Sequence, residues 1–387
     1  MRARARGLED RLVKIGVPRE IAPGERRIAL VPESAKKLVE QGNEVVIPRG
    51  ASVDFPNEAY AAAGARVVSD ADEVWSSADL VLKIQPPQAS EIDRLREGAV
   101  VVAILQPFQN ADTVRRLAAK HAVSFSLDLL PRITRAQSMD VLSSMSTIAG
   151  YKGVLIAAAA LPKMVPLLMT AAGTLKPARF LILGVGVAGL QAIATARRLG
   201  GVVEAFDIRP AVKEQVESLG ARFVAHEAIQ AGAETKGGYA SEQTPEQAAR
   251  QREVLGKHMA EADVIICSAL VPGRRAPILL TEAQVASMRP GSVVVDLAAD
   301  QGGNCALTKP GETVDHGGVQ VLGPLNVPAS VPLHASQMLS RNFQNFLLHL
   351  LKKGELQLDL ADEITSGTLV TRDGEIVHAA VKSALGS

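Results

Sequence analysis

The stretch FLILGVGVAGLQAIATARRLGG, from Phe180 to Gly201, decides the fold of the C-terminal half of this chain. Its apolar start predicts a buried strand, and Gly184, Gly186 and Gly189 follow in a G-x-G-x-x-G spacing that opens a predicted helix. The first glycine permits a tight turn, the second lets the backbone approach a pyrophosphate, and the third allows close helix-to-strand packing. The helix N-terminus, at Val187, offers N–H groups and a partial positive charge to an anion. The pattern therefore predicts a dinucleotide site.

An acidic residue at the end of the next predicted strand indicates which dinucleotide binds. Asp207 lies 23 positions after Gly184 (207 − 184), where a carboxylate can accept hydrogen bonds from ribose hydroxyls and repels a 2′-phosphate. This favours NAD(H), although Arg209, two residues on, could neutralise such a phosphate. Ile208, Arg209, Ala269 and Leu270 complete the set of residues that we assign to the cofactor.

Runs of β-forming residues alternate with helix-like stretches along most of the chain. In the C-terminal half these runs are RFLILG from Arg179, VVEAFD ending at Asp207, RFVA from Arg222, DVIICSAL from Asp263, SVVVDLA from Ser292 and VQVLG ending at Gly323. In the N-terminal half they are KIGVP from Lys14, NEVVIP, RVV, LVLKI, VVVAIL and VSFSLDLL. The alternation is typical of parallel sheets with helices on both faces. We therefore predict an α/β fold with two doubly wound, Rossmann-like domains joined by long helices.

Apolar residues at helical spacing predict the helices. The stretches 34–41 and 112–119 are predicted to be helices capped by Ser34 and Asp112, and Ala136 to Ala160 is predicted to form one long helix. After Pro332 the run LHASQMLSRNFQNFLLHLLKK predicts another helix, and a hairpin turn is expected at Asp373-Gly374.

These elements suggest two domains. We expect the first to comprise residues 1–140, completed by the C-terminal helix and hairpin in 330–387, and the second, 141–329, to carry the dinucleotide site. The polar, Gly-rich stretch from Glu227 to Gln251 is expected to be an exposed, mobile insertion that could act as a lid.

Composition excludes several function classes. The chain has 42 Lys and Arg against 41 Asp and Glu, so no field of one sign would attract nucleic acid. Cys267 and Cys305 are far apart in sequence, which fits free thiols in a reducing compartment, and the seven histidines show no metal-ligand spacing. The most apolar run, Val154 to Leu161, is shorter than the roughly 20 residues of a membrane helix. We expect no metal, no nucleic acid and no membrane span.

A second stretch is more specific than the glycine pattern. PRITRAQSMDVLSSMSTIAGYKGV, from Pro131 to Val154, resembles the nicotinamide-contacting loop of proton-translocating transhydrogenases. The resemblance continues through GERRIALVPE, MTAAGT, the glycine-rich unit, RPAVKEQVESLGARF, GGYA and GSVVVDLAADQGGNC. It covers nearly the whole chain from Lys14 onward.

The resemblance implies a role for four residues of this loop. Arg132 and Asp140 would hold the nicotinamide end of the cofactor, Ser143 would assist, and Gln137 would reach the second nucleotide. Direct hydride transfer between two nicotinamides needs alignment and exclusion of water, with no acid, base or nucleophile, and these side chains suit that work. Each has an ordinary alternative: Arg132 as a surface ion-pair residue, and the other three as polar groups at a helix start. Tyr239 matches the tyrosine of the family's mobile loop, although a lone aromatic in such a loop can also be a local anchor.

Alanine dehydrogenases share the same two-domain plan and provide the main alternative. Arg27, Lys83 and Asp300 match their pattern, and the first two would grip a substrate carboxylate. The histidine that handles protons in those enzymes is replaced by what aligns as Ile104, and a missing proton-transfer group costs on the order of 10² to 10⁴ in rate. Arg27 and Lys83 can equally be structural ion-pair formers. A non-enzymatic NAD sensor is a third hypothesis.

The resemblance also implies partners. Transhydrogenases of this family bind NADP(H) on a separate domain and couple hydride transfer to proton movement through a membrane domain, and the sequence predicts neither here. We therefore expect a homodimer, in the cytoplasm and peripheral on the inner face of the cell membrane, associated with a separate NADP(H)-binding subunit and a membrane-embedded proton-channel subunit.

Overall fold

A computed structural model describes residues 12–224, 245–271, 275–352 and 355–386, and only the backbone course of 245–252. The chain divides into two compact units. Unit 1 comprises Met1–Met145 and Val331–Ser387, and unit 2 comprises Ser146–Ser330.

The described residues form strands and helices that alternate along the chain. The strands are β1 (Lys14–Gly16), β2 (Glu44–Pro48), β3 (Arg66–Val68), β4 (Leu80–Leu82), β5 (Val100–Ala103), β6 (Val123–Ser126), β7 (Leu168–Thr170), β8 (Gly173–Leu175), β9 (Arg179–Leu183), β10 (Val202–Phe206), β11 (Arg222–Phe223), β12 (Val264–Cys267), β13 (Val293–Asp296), β14 (Thr313–His316), β15 (Val319–Leu322), β16 (Leu351–Lys352), β17 (Glu355–Leu356), β18 (Leu369–Arg372) and β19 (Glu375–Ile376). The α-helices are α1 (Pro32–Glu40), α2 (Asn57–Ala62), α3 (Ala71–Ser76), α4 (Ala89–Asp93), α5 (Ala111–Ala119), α6 (Val141–Ala160), α7 (Val187–Arg198), α8 (Lys213–Ser218), α9 (Pro245–Glu261), α10 (Glu282–Ala286), α11 (Pro332–Leu350), α12 (Glu363–Thr368) and α13 (Ala379–Leu385).

Unit 1 is built on one sheet, whose described strands run in the order β19-β18-β6-β5-β4-β1-β2-β3. Strands β1 to β6 are parallel, and β18 adds antiparallel to β6, with Leu369 opposite Phe125. Strand β1 lies between β2 and β4, so the connections leave it in opposite directions. The carboxyl ends of β1 and β4 therefore form a topological switch point, where open α/β sheets usually bind ligands.

Unit 2 has the same plan, with described strands in the order β11-β10-β9-β12-β13-β15-β14. All are parallel except β14, and the switch point lies between β9 and β12. Alternate residues of β9 enter different cores: Phe180 and Ile182 pack on one face of the sheet, and Leu181 and Leu183 on the other. The predicted fold class, α/β with two doubly wound Rossmann-like sheets, is confirmed.

Both predicted N-caps are wrong. Helix α1 begins at Pro32 after Val31, because proline at the first helical position has its φ already set for a helix. Helix α5 follows Asn110, whose amide donates to the carbonyls of Leu105 and Gln106 and so fixes the preceding turn.

Two other boundaries also differ from the sequence prediction. The expected long helix from Ala136 is a 3-10 helix over Thr134–Met139 followed by α6, because Asp140 adopts an extended backbone and starts a new helix. The polar insertion was expected to reach Gln251, but α9 begins at Pro245. Tyr239 lies outside the described residues.

Two antiparallel pairs were not predicted. Strand β14 pairs with β15 through a turn at Gly317 and Gly318, whose φ values of 63° and 82° are those of a hairpin turn that favours Gly-Gly. Strands β7 and β8 form a separate hairpin of three residues each. Such short runs give little periodic signal.

Helix α6 has 20 residues and a mean hydropathy of 1.3, so by length and composition it could cross a membrane. Its contacts in unit 2 are those of a core helix. A Cβ on Gly150 would lie 2.1 Å from the Ala188 carbonyl oxygen, and one on Gly153 would lie 3.0 Å from the Leu297 side chain. These glycines let α6 pack closely inside unit 2.

Candidate functional site

The glycine turn of unit 2 shows why three glycines occur at this spacing. Gly184 has φ +90°, and a Cβ there would lie 2.8 Å from the Ala269 nitrogen. A Cβ on Gly189 would lie 2.0 Å from the Gly184 carbonyl oxygen, whereas one on Gly186 would meet nothing within 4 Å. The outer two positions therefore require glycine for backbone geometry and packing. Gly186 leaves open space against the backbone, as a phosphate-binding turn requires.

Helix α7 begins at this turn and has twelve residues, with Gly186 as its N-cap. No acidic residue lies in its first turn, and Arg197 and Arg198 lie in its last turn. The positive end of the helix dipole is thus uncompensated at the turn, and the first N–H groups of a helix have no partner within it. The side chain of Val187 is 42% exposed beside them. These features suit a bound anion.

The Asp207 carboxylate lies directly behind the glycine turn. It is 7% exposed and accepts the Val185 N–H at 2.8 Å, which fixes the turn to the end of β10. It also accepts the backbone N–H of Arg209 at 2.9 Å, and the Arg209 guanidinium donates to both of its oxygens at 2.9 Å. Asp207 therefore supports the turn as well as offering a negative charge.

This arrangement gives Arg209 a definite task. Each Asp207 oxygen accepts two hydrogen bonds, which uses the acceptor capacity of a carboxylate. A ribose hydroxyl can be accepted only where one donor withdraws, and the Arg209 side chain is the donor that is not part of the turn backbone. Its guanidinium also donates to the Val185 carbonyl at 3.1 Å, so it is folded onto the turn. Ile208, between them, is half-buried.

The segment after β12 forms the other wall of the turn. The Ser268 hydroxyl donates to the Gly184 carbonyl at 2.9 Å. The fully buried Asn304 accepts the Ala269 N–H at 3.0 Å and donates to the Ala269 carbonyl at 2.9 Å. Leu270 is 39% exposed next to it. The sequence prediction missed Asn304, which acts as an amide clip on the backbone of an assigned residue.

Asn304 is held in turn by Asp296, at the end of β13. The fully buried Asp296 carboxylate accepts the Asn304 N–H at 2.7 Å, the Cys305 N–H at 2.9 Å and the Thr308 hydroxyl at 2.6 Å. Burial raises the pKa values of the Cys305 and Cys267 thiols, so both stay protonated at neutral pH. They are core residues and not nucleophiles.

The transhydrogenase-like loop lies in unit 1 and leads into α6. Asp140 accepts the Ser143 N–H at 2.9 Å and the Ser143 hydroxyl at 2.6 Å, so these two predicted site residues are brought together as a helix N-cap. Arg132 and Gln137 are exposed. The loop thus combines a rigid cap with two side chains that are open to a ligand. Tyr239, the remaining predicted site residue, is outside the described region of the chain.

The switch point of unit 1 is occupied by ion pairs of the chain itself. Lys83 and Glu20 are buried, with their charged atoms 2.7 Å apart, and Glu91 lies 3.4 Å from the same ammonium. Arg27 is 5% exposed and donates to both oxygens of Glu25, at 2.8 and 2.5 Å. The two cations that could grip a substrate carboxylate therefore already hold carboxylates.

These ion pairs shift the pKa values of their acids in opposite directions. Burial raises the pKa of Glu20 although the Lys83 ammonium opposes it. Burial also acts to raise the pKa of Glu25, but hydrogen bonds and charge from Arg27 outweigh it and lower this pKa to about 2. Glu25 therefore remains ionised at any physiological pH.

The other residues of the alanine-dehydrogenase pattern do not form a proton-transfer pair. Ile104 donates its N–H to the Ile84 carbonyl at 3.0 Å and has no titratable side chain. Asp300, in unit 2, accepts the Asn326 N–H at 3.4 Å, and burial raises its pKa. Within the described residues, no group of three His, Cys, Asp or Glu side chains could hold a metal ion.

Comparisons with known proteins cover almost the whole chain. The sequence pattern of the alanine dehydrogenase/PNT N-terminal domain matches residues 16–149, and that of the alanine dehydrogenase/PNT C-terminal domain matches residues 153–379. The chain is 47% identical over 380 residues to the first of the separate polypeptides that make up NAD(P) transhydrogenase subunit alpha in Rhodospirillum rubrum. That match covers 95% of this chain and 99% of the relative.

A more distant relative and a solved structure agree with this range. The alanine dehydrogenase of Mycolicibacterium smegmatis is 30% identical over 378 residues, covering 95% of each chain. The crystal structure of transhydrogenase from Sinorhizobium meliloti superposes with a TM-score of 0.86 at 42% identity, covering 94% of this chain and 100% of that one. The similarity is therefore higher to the transhydrogenase sequences than to this alanine dehydrogenase.

Proposed function

This chain belongs to the alanine dehydrogenase/PNT family, and from that membership we propose that it is the NAD(H)-binding subunit of a proton-translocating NAD(P) transhydrogenase. The reaction is direct, Re/Si-specific hydride transfer between NADH on this chain and NADP⁺ on a partner subunit. A separate membrane-embedded subunit couples the transfer to proton translocation.

One observation carries the proposal. Unit 2 has a glycine turn that fits a dinucleotide, whereas at the switch point of unit 1 Arg27 and Lys83 are buried in ion pairs with the chain's own carboxylates. A dehydrogenase of small amino acids needs a free cation for the substrate carboxylate and a group that moves a proton. A subunit that presents NAD(H) to a second nucleotide needs neither.

The residues of unit 2 would hold the adenosine and pyrophosphate moieties of NAD(H). The open backbone at Gly186 and the N-terminus of α7 take the pyrophosphate, and Asp207 takes the ribose hydroxyls once Arg209 releases one of its oxygens. Ala269 and Leu270, fixed from behind by the buried amide of Asn304, line the opposite wall. The nearby carboxylate disfavours a 2′-phosphate, which selects NAD(H) over NADP(H).

The loop in unit 1 would orient the nicotinamide. Hydride chemistry is supplied by the two nicotinamide rings, so the protein's task is alignment to roughly 3 to 3.5 Å and exclusion of water. We assign Arg132, Asp140 and Ser143 to the nicotinamide end and Gln137 to contact with the second nucleotide. Tyr239 is assigned to a segment that closes over the cofactor.

The assembly follows from the same proposal. The chain is a homodimer that binds a separate NADP(H)-binding subunit and stays at the inner face of the cell membrane through its membrane-embedded partner. Alone it binds NAD(H) and transfers hydride slowly or not at all.

The test mixes the purified chain with an NADP(H)-binding partner domain and follows hydride exchange between NADH and an NADP⁺ analogue, with L-alanine plus NAD⁺ as the parallel assay. We expect exchange that depends on the partner and no alanine oxidation. Alanine oxidation at ordinary enzyme rates would favour the second candidate, an alanine dehydrogenase, whose relative at 30% identity gives it a specific basis. NADH binding without either reaction would indicate an NAD sensor.

A further inference from the structure

A continuous chain of polar contacts crosses unit 1 from its switch point. The Lys83 ammonium contacts Glu20 at 2.7 Å, and the same Glu20 oxygen accepts the Gln85 N–H at 3.4 Å. The Gln85 amide donates to Glu25 at 2.7 Å, and Glu25 accepts the two parallel hydrogen bonds of Arg27. The strand ends at the switch point are thus linked to the Arg27 guanidinium.

The chain of contacts ends on α6. The third nitrogen of the guanidinium, Nη1, donates to the Met145 sulphur at 3.1 Å, and both residues are buried. A guanidinium is planar, so fixing two of its nitrogens on one carboxylate also fixes the direction of the third. Arg27 therefore holds the second turn of α6 at a set distance from the switch point.

That region of α6 belongs to the proposed nicotinamide loop. Met145 lies two residues after Ser143 in the same helix, and the Asp140 cap joins the helix to the segment that carries Gln137. A helical turn is rigid over this length, since consecutive turns share backbone hydrogen bonds. A displacement of Met145 would therefore move the cap and the loop with it.

We propose that Arg27 is a positioning residue for hydride transfer, which acts through Met145 to set the place of the nicotinamide loop. The proposal rests on the function proposed above. A buried ion pair adds little net stability compared with apolar residues of the same volume, so its value here lies in orientation. Removing the fork while keeping the charge should loosen the loop without emptying the cofactor site.

The experiment compares Arg27→Lys with Arg66→Lys. Arg66 is a matched control, because it lies in the same unit and contacts two carboxylates, Glu44 at 3.0 Å and Glu73 at 2.6 Å, on the surface. Hydrogen exchange of the segment 134–150 is measured on the chain alone, and NADH affinity and hydride exchange are then measured with the partner domain. We expect Arg27→Lys to speed amide exchange around Ser143 by about tenfold. Hydride transfer should slow by about ten- to a hundredfold, with NADH affinity within about twofold of the original.

Each outcome decides between the roles. If the amides of this segment exchange at the original rate in Arg27→Lys, or if Arg66→Lys has the same effect, the positioning role is refuted. A lower unfolding midpoint with unchanged hydride transfer would also refute it, since that is the result of a purely structural ion pair. If Arg27→Lys does not fold, Met145→Leu carries the test, because it keeps the side-chain volume and removes the sulphur acceptor. Altered exchange in a chain that never transfers hydride would leave the positioning intact and refute the proposed function instead.

Discussion

The Asp207 carboxylate supports both the glycine turn and the proposed choice of NAD(H), so Asp207→Asn should separate the two nucleotides. The carboxylate accepts four hydrogen bonds, from Val185, from the Arg209 backbone and from two guanidinium nitrogens. An amide keeps only one acceptor atom, so its NH₂ group faces donors that lose their partner. Each unpaired donor costs about 1 to 3 kcal/mol, and unit 2 should be destabilised by that order.

The effect on binding should depend on the nucleotide. The ribose hydroxyls of NADH lose a charged acceptor, and hydrogen bonds to charged groups contribute about 1.5 to 3 kcal/mol, which corresponds to roughly 10- to 150-fold weaker binding. NADPH loses a repelling charge, so its affinity should stay level or rise. The ratio of the two dissociation constants should therefore fall by at least about tenfold.

Equilibrium dialysis or calorimetry with both nucleotides measures this ratio, in which a general loss of folded protein cancels. Asp79→Asn is a matched control: Asp79 is 5% exposed, accepts the Lys14 N–H at 2.9 Å and pairs with Arg96, but it lies in the sheet of unit 1. It should lower stability and leave the ratio unchanged. An Asp207→Asn chain that keeps the original ratio would show that this carboxylate does not discriminate between the nucleotides.

Three further predictions concern the loop, the turn and the ion pair. Gln137→Asn should slow hydride transfer by about tenfold or more at nearly the same NADH affinity, since this exposed side chain is assigned to the second nucleotide; weaker NADH binding with normal turnover would contradict that role. Gly189→Ala, whose Cβ would lie 2.0 Å from a carbonyl oxygen, should abolish NADH binding and lower the unfolding midpoint, whereas Gly256→Ala, with nothing within 4 Å, should be neutral or slightly stabilising, as thermal unfolding would reveal. Glu25 has a folded pKa of about 2 against 4.5 unfolded, so its contribution of about 3 kcal/mol is present above pH 4.5 and is lost as the pH falls towards 2; urea titrations should show a shallower acid loss in Glu25→Gln.

The sequence predicts features that depend on local backbone requirements. Gly184 and Gly189 are readable because a positive φ and a close carbonyl contact permit no other residue there. The pairing of Asp140 with Ser143 is also local, since a side chain three residues before a backbone N–H is the usual geometry of an N-cap. The strands were readable because buried parallel strands are continuous apolar runs.

Features that join distant segments of the chain were not readable. Asn304 clips the backbone of Ala269 across 35 residues, and nothing in either segment predicts their contact. The Arg27 contact with Met145 spans 118 residues, so the residues appear in the sequence only as an arginine in a polar turn and a methionine in an apolar helix. The N-cap predictions failed for a different reason, because the chosen polar residues lie next to positions whose backbone was already set by Pro32 or by Asn110.

The antiparallel pairing of β18 with β6 has a consequence for biosynthesis. Unit 2 is encoded by one uninterrupted stretch, whereas the unit 1 sheet needs Leu369 beside Phe125, which are made more than two hundred residues apart. During synthesis, the backbone groups of β6 must wait with an unpaired edge until the C-terminal end of the chain leaves the ribosome, and such edges attract other strands. Nascent chains halted near Ser330 should therefore aggregate through the first half of the protein while the second half is already folded.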